Sequence, residues 1–141
     1  MKTKVKLLFG IIILLTLMYS CKKDQNQIIP YVKVQITANL DLPQFSDLNF
    51  VGNAVLYPNV GYNNNGVIIY RNSTDEFTAY DATCPQHIDT KTAIKLTGGG
   101  EATCPYCKTV YYLSAYGTPS KGYSLKQYGV TKSGSFIYIN N

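Results

Sequence analysis

Four side chains constrain this chain more than the rest of it together: Cys84, His87, Cys104 and Cys107. They stand in two short knuckles, Cys84-Pro85-Gln86-His87 and Cys104-Pro105-Tyr106-Cys107, with the sixteen residues 88–103 between them. His87 is the only histidine of the sequence, and Cys21 is its only other cysteine. Thiolate and imidazole are the groups that hold zinc and iron–sulfur clusters, and CxxH…CxxC is ligand spacing rather than core spacing. The chain reads as a metal or cluster carrier, and the residues alone leave open which.

The first twenty residues read as an export signal. Lys2, Lys4 and Lys6 precede an apolar run from Leu7 to Tyr19 broken only by Thr16. Such a run is too short to cross a bilayer, which takes roughly 20 apolar residues. It ends at Leu17-Met18-Tyr19-Ser20-Cys21, a small residue directly before a cysteine. This resembles the lipobox of bacterial lipoproteins, although Met18 stands where leucine is usual. The resemblance implies lipid on Cys21, a mature chain starting there, a tether over 21–29 and anchorage in the bacterial envelope. An ordinary secretory signal that happens to precede a cysteine is the alternative. The polar character of Lys22 to Ile29, with few aromatics, suits a tether.

The formal net charge of +5 owes much to that leader. Without Lys2, Lys4 and Lys6, ten basic residues face eight acidic ones, a net +2. No Lys/Arg cluster beyond Lys22-Lys23 exists, so a nucleic-acid partner is not expected.

Residues 30–141 are enough for one small domain. Thirteen tyrosines, eleven glycines and few helix-favouring runs predict an all-β fold. Tyr31 to Thr37 alternates apolar and polar positions, the period of a strand with one buried face. Val67–Tyr70 and Phe77–Tyr80 flank the polar turn Asn72–Asp75 and predict a hairpin. Thr109–Leu113 and Phe136–Ile139 are further strand candidates, and Phe45–Phe50, after Pro43, a short helical turn. Asn63 to Gly66 and Gly98 to Gly100 read as loops. A small β-sandwich is the expectation.

Strands and knuckles together resemble a Rieske domain. That family reads CxH, roughly fifteen to seventeen residues, then CxxH with Gly-Ser and an aromatic after it, and later a Gly/Pro loop and a Leu-Lys-x-Tyr strand. Here the second knuckle is followed by Lys108-Thr109-Val110-Tyr111-Tyr112-Leu113, then Tyr116-Gly117-Thr118-Pro119, then Leu125-Lys126-Gln127-Tyr128. The resemblance runs over residues 66–130 and implies a Rieske-like small β-sandwich with a rubredoxin- or zinc-ribbon-like cluster-binding lobe at about 81–122. It also implies that Cys84 and Cys104 hold one iron of a [2Fe–2S] cluster and that His87 and Cys107 hold the other. Thr109 matches the family's cluster-bonding serine, and Tyr111 the aromatic that in some members bonds a ligating sulfur. The loop Tyr116–Gly122 is expected to cover the cluster.

The departures carry meaning. Lys108 replaces a glycine at a tightly turned position, and the disulfide of high-potential members is missing. No second histidine exists for a mononuclear oxygenase iron, so a stand-alone enzyme is not expected. Three thiolates and one imidazole would stabilise oxidised iron more than the family's two and two. The expected function is one-electron transfer at a membrane surface, with an unspecified redox partner. Two alternatives stand beside it. Cys3His is an ordinary structural zinc set, which would make the domain a stapled binding module. An exported protein could instead close Cys104–Cys107 or Cys84–Cys104 as a disulfide and hold no metal. The signal contains no arginine and looks like one for unfolded export, an obstacle to a preassembled cluster but not to zinc. Tyr111, Tyr112, Tyr116, Tyr123 and Tyr128 either shield the site or are simply strand residues.

Overall fold

Val67–Arg71, the strand β3, explains why two layers form. Val67, Ile68, Ile69 and Tyr70 are all buried, so neither face of this strand meets water. Because side chains alternate across a strand, Val67 and Ile69 enter one core while Ile68 and Tyr70 enter another. Each fully buried isoleucine here is worth about 1.5–3 kcal/mol relative to exposure. The computed structural model describes residues 28–89 and 91–141. The expected export signal, Cys21 and the expected tether as far as residue 27 lie outside them.

The remaining strands are β1 (Gln35–Asn39), β2 (Ala54–Tyr57), β4 (Phe77–Asp81), β5 (Lys95–Gly98), β6 (Glu101–Thr103), β7 (Val110–Tyr112), β8 (Thr118–Pro119), β9 (Gln127–Ser133) and β10 (Phe136–Asn140). They make two antiparallel sheets. The larger has the order β1-β10-β9-β4-β3-β2, and the smaller runs β5-β6-β7-β8. A 3-10 turn over Pro43–Asn49 buries Phe45 and Leu48 against the outer face of the larger sheet. The second core lies between the sheets. Ile68, Tyr70 and Tyr80 reach into it from one side, and Ile94, Ala102, Tyr111 and Leu113 from the other. Tyr80 ties the layers by donating to the Leu113 carbonyl at 2.7 Å. The fold is all-β and Rieske-like, with the cysteine-bearing turns on the smaller lobe's side of this second core.

The hairpin read from 67–80 is β3–β4, in register Ile68↔Tyr80 and Ile69↔Ala79. Arg71 closes its loop, donating to the carbonyls of Ser73 and Thr74, while a third bond to Leu48 holds the 3-10 turn in place.

Three of the boundaries that differ from the sequence expectation have a local cause. β1 starts at Gln35, not Tyr31, because Val34 N–H and Val32 C=O bond the side chain of Asn141 rather than a strand. Thr109 lies outside β7 because its carbonyl turns back to accept from Cys104 N–H. Leu113 opens a 3-10 turn rather than ending the strand.

Candidate metal centre

Each knuckle follows a strand and is turned by its proline. In the first, after β4, the His87 N–H donates to the Cys84 carbonyl at 3.0 Å, a four-residue turn with Pro85 second. Proline there already has the φ that such a turn requires. In the second, directly after β6, the Lys108 N–H reaches the Cys104 carbonyl at 2.9 Å, one residue wider. The chain then reverses into β7, which forces Lys108 to φ +60°. Lys108 thus stands in the backbone region that glycine enters most easily.

A buried carboxylate anchors the first knuckle. Asp81 accepts from Tyr62 N–H at 2.7 Å, Thr83 N–H at 2.8 Å and the Tyr128 hydroxyl, and so joins β4, β9 and the turn at Tyr62. Burial and the neighbouring carboxylate raise the Tyr128 phenol above its ordinary value.

The two turns bring three thiols together. The sulfurs of Cys84, Cys104 and Cys107 all lie within 4.8 Å of one another, and all three are unbridged. Cys84 and Cys104 are fully buried, whereas Cys107 is half-buried. Cys84 Sγ and Cys107 Sγ are 3.8 Å apart, well beyond the roughly 2.05 Å of a disulfide. Two hydroxyls address these sulfurs. The Tyr111 oxygen stands 3.2 Å from Cys84 Sγ, and the Cys107 thiol donates to Thr109 Oγ1 at 3.2 Å.

The environments of the thiols differ. Burial pushes Cys84 up to about 12, and the adjacent Cys104 adds to this against hydrogen bonds from Tyr111 and the Gln86 N–H. Burial also opposes ionisation of Cys107, but the Thr109 hydroxyl and N–H and the two neighbouring thiols outweigh it and bring it down to about 6. Burial, reinforced by Cys84, raises the Tyr111 phenol. A bound cation would remove the cost of gathering several thiolates in a dry place, since a coordinated thiol loses its proton outright. The donor set therefore fits a thiophilic metal centre.

Of the six residues singled out from sequence, five converge here: Cys84, Cys104, Cys107, Thr109 and Tyr111. His87 is placed differently. It is not part of the three-sulfur group, and its ring meets that of Tyr106 edge-on at 4.6 Å between centroids. The segment after β7 runs past the first knuckle: Ser120 N–H bonds the Val110 carbonyl, and Lys121 to Tyr123 contact the Gln86 side chain. Gln86 was not singled out from sequence. A lone glutamine between Pro85 and His87 carries no pattern, and its partners are more than twenty residues away. A cleft of about 740 Å³ borders Pro85, Tyr116, Tyr123 and Lys126 but none of the sulfurs. The thiols are thus set apart from this cleft.

No family model matches this chain, and no curated protein matches it. Among solved structures it is similar to one named as an NADH-dependent nitrite reductase small subunit from Mycobacterium tuberculosis. That likeness has 15% identity and a TM-score of 0.44, and covers 79% of this chain and 97% of the other. A second, named as a nitrite reductase NADPH small subunit oxidoreductase protein, has 18% identity and a TM-score of 0.40 over 77% of this chain and 98% of that one.

Proposed function

We propose that this protein is a lipid-anchored, Rieske-like iron–sulfur protein that carries single electrons in the bacterial envelope. The observation that carries the reading is the Tyr111 hydroxyl on the Cys84 sulfur, in a group of three sulfurs within 4.8 Å of one another. Hydrogen bonds to sulfur are one of the levers that set the potential of such a centre. Cys84, Cys104 and Cys107 hold the iron in this reading, with His87 as the fourth ligand that the sequence offers. When bound, a [2Fe–2S] cluster supplies reversible one-electron chemistry. The chain's own part is to bury the Cys84 and Cys104 thiolates, to direct the Tyr111 hydroxyl at Cys84 and to keep bulk water away. Lipid on Cys21 and the tether that follows would hold the domain at a membrane, within reach of a redox partner protein.

A second reading is favoured by a specific distance. Two thiolates on one tetrahedral ion with metal–sulfur bonds of about 2.3 Å stand about 3.8 Å apart. Cys84 and Cys107 have that separation. The same residues would then staple the smaller lobe with one zinc, and the domain would work as a binding module.

Metal analysis and an absorption spectrum of the full chain, purified without air, separate the readings. Iron and acid-labile sulfide in equal amount, with a reduction potential below about +150 mV, are expected for the cluster. A higher potential would reject three-thiolate ligation. A colourless protein with one zinc would replace electron transfer by the staple. Labelled palmitate that survives Cys21→Ala would take the lipid off Cys21, and no label on the native chain would remove the lipid anchor.

A further inference from the structure

Gln86 lies between the sulfur site and the segment that runs over it, and its amide is fully engaged. Its Nε2 donates to the Tyr111 oxygen at 2.9 Å and to the carbonyls of Tyr123 at 3.2 Å and Lys121 at 3.4 Å. Its Oε1 accepts from the Tyr123 N–H at 2.9 Å. Backbone carbonyls only accept and a backbone N–H only donates, so these partners fix which end of the amide is nitrogen. The consequence falls on Tyr111. Its oxygen already accepts from Gln86, so its own proton is directed to the other partner in reach, Cys84 Sγ at 3.2 Å. Both Tyr111 and Cys84 are fully buried, so water does not compete for that proton. Residue 122 must leave room for this amide: a Cβ on Gly122 would stand 2.6 Å from Gln86 Oε1 and 2.7 Å from Cδ.

We infer that Gln86 is a positioning residue that sets the direction of the Tyr111 hydroxyl, and thereby decides whether the Cys84 sulfur receives a hydrogen bond. The chain of contacts runs from the Lys121–Tyr123 backbone through the Gln86 amide and the Tyr111 phenol to the sulfur. Its geometry needs no metal. Its consequence for a potential rests on the electron-carrier reading: a hydrogen bond to the sulfur favours the more negative, reduced state. Losing it lowers the potential.

Gln86→Glu tests the inference because it keeps the shape and reverses the polarity. A carboxylate accepts from Tyr111, so the phenol turns its proton away from Cys84. In the metal-free, reduced full chain at neutral pH, the tyrosine doublet in ultraviolet Raman difference spectra should shift toward a stronger phenol donor. The shift should vanish when Y111F is also present. In the iron-loaded chain, Q86E should lower the potential more in the native background than in the Y111F background, which retains the added charge but lacks the relay. No Raman shift, or one that persists with Y111F, overturns the inference whatever metal is bound. A Raman shift in a chain that takes up no iron upholds the role of Gln86 and removes the electron-carrier reading instead.

Discussion

Cys84 and Cys107, 3.8 Å apart, are opposite kinds of thiol. With Cys107 lowered to about 6 and Cys84 raised to about 12, the metal-free protein holds a thiolate at Cys107 and a neutral thiol at Cys84 throughout pH 7–9. Alkylation followed by peptide mass spectrometry should find Cys107 modified first, its rate rising through about pH 6, and Cys84 untouched until the domain unfolds. Thr109→Val, which removes the hydroxyl, should slow Cys107 several-fold at pH 7; an unchanged rate would show that Thr109 does not hold the charge. Lys108 is the other telling residue. At φ +60° a side chain costs about 1–2 kcal/mol that glycine avoids. Lys108→Gly should therefore be more stable than Lys108→Ala by about 1 kcal/mol in urea unfolding. Equal stability of the two would mean that the turn relaxes when the lysine is removed.

At the scale of elements, two short apolar runs around the polar turn Asn72–Asp75 made the β3–β4 hairpin legible, and the run Phe136–Ile139 made β10 legible. The hairpin β5–β6 was not. Lys95–Gly98 is a short strand without an alternating apolar face, and Gly99 and Gly100 form the turn of the hairpin. Tyr31–Val34 shows the converse: the period of a strand is there, but a single side chain, Asn141, takes the hydrogen bonds. Asp81 was likewise invisible in sequence, because its three partners come from three separate segments. Asp81→Ala would leave buried donors unpaired and should cost about 3 kcal/mol or more, whereas Tyr128→Phe should cost about 1 kcal/mol. Chemical denaturation checks both, and a near-neutral Asp81→Ala would show that water replaces the carboxylate.

For the whole molecule, the two cores divide the work. The first, on the outer face of the larger sheet, contains no cysteine, while the second includes Cys84 and Cys104 with Cys107 at its edge. Binding energy at the thiols should therefore stabilise the smaller lobe preferentially, since metal binding is coupled to folding of the segments that supply the ligands. Removing the metal should abolish hydrogen-exchange protection over 95–119 before it weakens 67–81 and 127–140. Uniform loss across both sheets would instead mean that the domain unfolds as one unit.

Composition and strand periodicity were sufficient, on their own, for an all-β domain, and ligand spacing was sufficient to nominate four side chains. Those are local properties, set by residue type and short separations along the chain. Which of the four meet was decided by packing. Two sheets closing on a shared core bring Cys84, Cys104 and Cys107 within 4.8 Å, while the turn after Cys84 lays His87 against Tyr106. Packing likewise carries Lys121–Tyr123 across to Gln86, thirty-five to thirty-seven residues away in sequence. Contacts at that separation depend on the geometry of every element between them, and no local pattern encodes it.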